Sequence, residues 1–131
     1  MRHAENIFLL AERILVMLGH EGETLDIFFL EAKDIARLKA RFIKKKTEPN
    51  ILSFPEPLLF PHPETKKKYL GEIYLNKDII IKSPGRAAPL LIHGILHLLG
   101  HSHRTKESAV KMERLEKKVF AQLFRVKSVR V

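Results

Sequence analysis

Residues 89–103, PLLIHGILHLLGHSH, constrain this chain more than any other segment. The run is apolar except for its histidines, so it reads as a central helix. Pro89 suits a first helical turn, where its missing N–H is not needed. Gly100 can adopt the left-handed backbone that ends a helix. His93 and His97 are four residues apart and project from one face, within reach of a single metal ion. A third ligand has to come from beyond the helix, and the turn at Gly100 can swing His103 back toward the other two.

The histidines and the glycine occupy the positions of the long zinc-site motif H-E-x-x-H-x-x-G-x-x-H. With 7 histidines in 131 residues, three at these spacings arise by accident in roughly 2% of cases, and in about 0.1% once the glycine is required. That rarity favours a metal centre over ordinary helix histidines. The chain has no cysteine, so the ligands are nitrogen and oxygen, and one Zn2+ held by His93, His97 and His103 is expected. The residue after the first histidine is Gly94, where a zinc peptidase has the glutamate that takes a proton from water, and a peptidase is therefore disfavoured. Three nitrogen ligands leave a fourth position open for catalysis unless His101 fills it, as a ligand or as a group orienting one. His3, His20 and His62 have no partner at ligand spacing and are read as solvated.

The balance of charge points toward the substrate. Lys+Arg 24 against Asp+Glu 15 gives a formal net charge of +9. The lysines cluster in KKKTE at 44–48 and TKKK at 65–68, so a polyanion is the natural partner, the alternative being lysines that serve solubility. No apolar run is long enough to span a membrane, and Glu5, Glu12 and Arg13 interrupt the N-terminal run that an export signal would keep clean. A cytoplasmic protein without a membrane partner is expected, with residues 1–131 as one domain.

Helical spacing recurs at 4–18, 31–43 and 105–123. Short apolar runs at Thr24–Leu30, 51–54 and 70–75 read as strands, and 79–82 reads as a further strand forming a hairpin with 70–75. Pro55, Pro57, Pro61 and Pro63 mark an irregular loop, and SPGR at 83–86 a turn. The fold class is α+β, a small mixed sheet covered by helices. Phe28, Phe29, Phe54 and Phe60 could stack on unpaired bases, but phenylalanines in strands are more often buried and these are read as core residues.

HGILHLLGHSH, followed by Met112 and Glu116, resembles the HGxLHLxGYDH pattern of the YbeY-type rRNA maturation factors. ILSFP at 51–55 is similar to that family's VLSFP, and LGEIYL at 70–75 to its LGDIVI. The resemblance implies a zinc-dependent endoribonuclease that cuts single-stranded RNA in small-subunit rRNA maturation and ribosome quality control, the metal activating water or polarising a phosphate oxygen. It implies the same three histidine ligands. The implied partners are rRNA and the ribosomal small subunit or its assembly proteins. The pattern departs at three points: Ile43 stands where the family has arginine, Ser102 and Glu72 each replace an aspartate, and the segment between LGEIYL and the metal helix is several residues shorter. Arg41, Lys44, Ser53 and Glu72 are the remaining catalytic candidates. Loss of the arginine keeps a second reading open, a weakly active or inactive RNA-binding or ribosome-binding assembly factor with a structural zinc.

Overall fold

The computed structural model describes residues 2–42, 50–56 and 68–124. In chain order the elements are α1 (Arg2–Met17), β1 (Thr24–Leu30), α2 (Ala32–Phe42), β2 (Ile51–Pro55), β3 (Tyr69–Asn76), α3 (Lys77–Lys82), a 3-10 turn (Pro84–Arg86), α4 (Ala87–Leu98) and α5 (Lys106–Leu123). The fold is α+β, as the patterning predicts. Lys44, Ile43 and the lysines and prolines at 45–46, 57, 61, 63, 66 and 67 lie outside the described residues, as do Phe60 and His62.

The sheet has the strand order β1-β3-β2. β3 runs parallel to β1 and antiparallel to β2, with Ile73 opposite Ile27 on one side and Ser53 on the other. Successive residues alternate between the faces. Ile27, Ser53, Ile73 and Leu75 turn toward α4, while Asp26, Phe28, Phe54, Glu72 and Tyr74 turn away. β3 carries one extra residue between its pairings with Thr24 and Asp26, a bulge that falls at Gly71. Gly71 has φ +137°, and a Cβ there would lie 2.2 Å from the Phe54 carbonyl oxygen, so only glycine fits.

Residues 79–82 are not a strand, as their β-branched composition suggests, but belong to α3. The Asn76 side chain accepts hydrogen bonds from the Asp78 and Ile79 amides at 3.0 and 3.4 Å, capping a new helix as the strand ends. β3 is also already paired on both sides, leaving no edge for a hairpin partner. Phe28 departs from its core reading as well: it is exposed on the outer sheet face, where it stacks on Tyr74 at 5.0 Å.

α4 is the centre of the molecule. It packs against β2, β3, α1 and α5, and buries Leu90, Leu91, Ile92, Ile95 and Leu96. Gly94 permits the close approach to the sheet: a Cβ there would lie 2.6 Å from Ile51 Cδ1 and 3.2 Å from Ile73 Cδ1. α2 packs against β2 and β3, where Leu52 turns away from α4. No described helix is long and apolar enough to cross a membrane.

Candidate metal centre

Two structural devices set the positions of the histidines. α4 carries His93 and His97 on one stripe and then ends in a closed turn, in which the Gly100 amide donates to His97 O and the His101 amide to Leu96 O, both at 3.0 Å. Gly100 has φ +99°, the conformation that this helix ending requires. The chain then doubles back and starts α5. Thr105 Oγ1 accepts from the Ser108 amide at 3.0 Å and Ser108 Oγ accepts from the Thr105 amide at 3.1 Å, so the segment carrying His103 is pinned at both ends. Ser102 Oγ lies 3.5 Å from the Arg104 amide within this segment.

The result is a cluster in which one ligand atom from each of His93, His97 and His103 lies within 4.8 Å of the others. The Nε2 atoms of His93 and His97 are 3.1 Å apart. Two nitrogens bound to one tetrahedral zinc at its usual bond length sit about 3.3 Å apart, so the pair fits such an ion. Their Nδ1 atoms point the other way, that of His93 to Glu116 Oε2 at 3.4 Å and that of His97 to the His101 carbonyl at 3.0 Å. A partner on Nδ1 fixes the tautomer and leaves Nε2 free as a ligand, the arrangement found behind metal-bound histidines.

The electrostatics agree with that assignment. His97 has its pKa lowered from 6.5 to about 4, chiefly by burial and then by the neighbouring His93 and His103, against the opposing hydrogen bond to the His101 carbonyl. It is therefore neutral at pH 7, the form that binds metal. His93 is 19% exposed and His103 is open to solvent, so the cluster is seated on the core at one side and accessible at the other.

The other candidates separate by position. Ser53 turns toward α4, and its Oγ donates to the Gly94 carbonyl at 3.3 Å, which ties β2 to the helix. Glu72 turns to the opposite face and accepts from Tyr74 Oη at 3.1 Å, so it does not join the histidines. Beside it Tyr69 Oη donates to Asp26 at 2.7 Å. Partial burial and then these carboxylates push both phenols above their ordinary range. Arg41 is exposed in the last turn of α2. His101 contributes its backbone carbonyl to the centre, and its ring is not among the three that cluster. His20 is paired with Glu23. Glu116 was visible in the sequence only as part of a resemblance, because its approach to His93 depends on how α5 returns against α4.

The fold and the site together define an α+β protein with a three-histidine centre borne on a central helix and the turn after it. The family model for endoribonuclease YbeY matches residues 3–124. Proteins named endoribonuclease YbeY from Chelativorans sp. (strain BNC1) and Bartonella quintana (strain Toulouse) are 33% and 32% identical over 108 residues. One from Coxiella burnetii (strain Dugway 5J108-111) is 31% identical over 107 residues. Each alignment covers 76% of this chain and 66–68% of the relative, so the chain spans about two thirds of their length. The chain belongs to the endoribonuclease YbeY family.

Proposed function

We propose that this chain is a metal-dependent, single-strand-specific endoribonuclease of small-subunit rRNA maturation and ribosome quality control, with one zinc ion held by His93, His97 and His103. The observation that carries the reading is the convergence of two histidine Nε2 atoms at 3.1 Å, their Nδ1 atoms already turned to Glu116 and the His101 carbonyl, beside an open His103. Family membership supplies the reaction class. Residues 1–131 act as one domain, in the cytoplasm, on rRNA of the small subunit or in company with its assembly proteins.

When bound, the ion supplies Lewis acidity that polarises a phosphoryl oxygen and lowers the pKa of water. The chain's residues set the conditions for that chemistry. Three neutral imidazoles leave the ion's charge uncompensated, which favours a phosphate over a neutral peptide. Glu116 and the His101 carbonyl hold two ligand rings in orientation, and the exposed side at His103 admits a flexible strand. The net charge of +9 favours RNA through its phosphates. Position 94 argues against a peptidase on steric grounds, since the space that a glutamate side chain would enter is filled by Ile51, Ser53 and Ile73.

Cleavage of a single-stranded ribosomal RNA fragment tests the reading, with nuclease-free protein assayed with and without chelator beside a His97→Ala variant. Loss of cleavage in both controls is the expected result. Intact RNA from metal-loaded wild-type protein would overturn it and favour a binding factor with a structural ion.

A further inference from the structure

We propose that the groove between α4 and α5, next to the histidine centre, is a slot for one unpaired nucleobase of the substrate, stacked on Phe120. The proposal rests on the ribonuclease reading and adds a specificity-determining residue to it.

The groove is walled by Pro89 and Ile92 of α4 and by Glu116, Lys117 and Phe120 of α5, and encloses about 300 Å³. Its position follows from helix geometry. Pro89, His93 and His97 recur at four-residue spacing on one stripe of α4, so the slot lies one turn, about 6 Å, along the helix from the first metal-binding histidine. Glu116 and Phe120 form the matching stripe on α5. Glu116 belongs to both places, lining the slot and standing 3.4 Å from His93. Glu116 is therefore a wall shared by the slot and the centre.

The walls suit a flat ring system. Pro89, Ile92 and the Phe120 ring offer apolar surface, and the volume is at the small end for ligand sites, enough for a base and too little for a helix or a bulky peptide side-chain cluster. Phe120 is 41% exposed on α5, and Phe124 follows one turn later with ring centroids 4.8 Å apart. An exposed aromatic ring lining a groove next to a histidine centre offers a stacking surface. Base stacking on such a ring is tolerant of sequence because every base has a π-face.

The cation at the rim of the slot favours a phosphate-bearing strand over an apolar peptide as the occupant. Lys117 lines the slot and Arg114 is exposed next to it around α5, whereas Lys111 and Lys118 project from the opposite flank of the helix. Among the described residues Lys117 pairs with Glu113 at 3.2 Å, both groups largely in solvent, and such a pair is easily exchanged for a phosphate. A strand with one phosphate at the histidines and the adjacent base in the slot would pass beside Lys117.

The test is fluorescence anisotropy with a labelled single-stranded 2′-O-methyl RNA that resists cleavage, using metal-loaded protein and the variants Phe120→Ala and Phe120→Trp. Phe120→Ala should weaken binding roughly 5- to 100-fold, the effect of removing one stacking ring, while Phe120→Trp should stay within about 3-fold. Scanning the strand with single abasic sites should find one position at which Phe120→Ala costs nothing more. Retention of one metal equivalent and an unchanged circular dichroism spectrum verify the fold of each variant. Wild-type affinity for Phe120→Ala, or an equal loss at every abasic position, would overturn the slot while leaving the ribonuclease reading intact. Failure of the wild-type protein to bind or cut any RNA would overturn both.

Discussion

On the sheet face toward α4, Ile27, Ile51, Ile73 and Leu75 are buried beneath the helix, whereas on the opposite face Phe28 stacks on Tyr74 and remains 41% exposed. Both faces are made by the same strands. Ser53 and Phe54 are adjacent in sequence, yet Ser53 bonds to the α4 backbone and Phe54 meets Tyr74 on the far side. Glu72 and Ile73 divide in the same way. A single step along a strand thus decides whether a residue supports the metal centre or stands apart from it.

The largest expected consequence of this division concerns stability. Ile73 is 0% exposed at the point where β3 meets Gly94, and Ile73→Ala should cost about 2–5 kcal/mol in urea unfolding. Phe28→Ala on the other face should cost about 1 kcal/mol, mainly its stacking on Tyr74. Equal losses from the two substitutions would break the comparison.

A smaller effect sharpens it at the level of function. Glu116→Gln should weaken metal affinity roughly 10- to 100-fold in competition with a chromophoric chelator, because the carboxylate behind His93 orients that ligand. Glu72→Gln on the far face should leave the affinity unchanged. A matching loss for Glu72→Gln would show that the two faces communicate.

Most of the architecture could be read from periodicity and punctuation. The strand Thr24–Leu30 appears at the expected bounds, and the three histidines follow from helical spacing and from a glycine whose left-handed backbone was foreseeable. The misreading of α3 has a local cause: DIII is too short to show a period, and its β-branched residues favour a strand until Asn76 caps the turn. Gly71 was a signal of its own, since an isolated glycine in a strand often marks a bulge, but its necessity depends on the approach of the Phe54 carbonyl from another strand. In the sequence Gly94 signifies a missing base, whereas the structure shows the close packing it permits. Glu116 and the His101 carbonyl were the least legible parts of the site, because their roles arise only when α5 and the turn fold back onto α4.

The central claim is that His93, His97 and His103 form one metal centre. It is tested most directly by measuring metal equivalents bound after chelator stripping, reloading with zinc and desalting, for the wild-type protein and for His97→Ala. One equivalent on the wild type and none retained by a folded His97→Ala variant is the expected result. No stoichiometric metal on the wild type, or an undiminished equivalent on the variant, would contradict it.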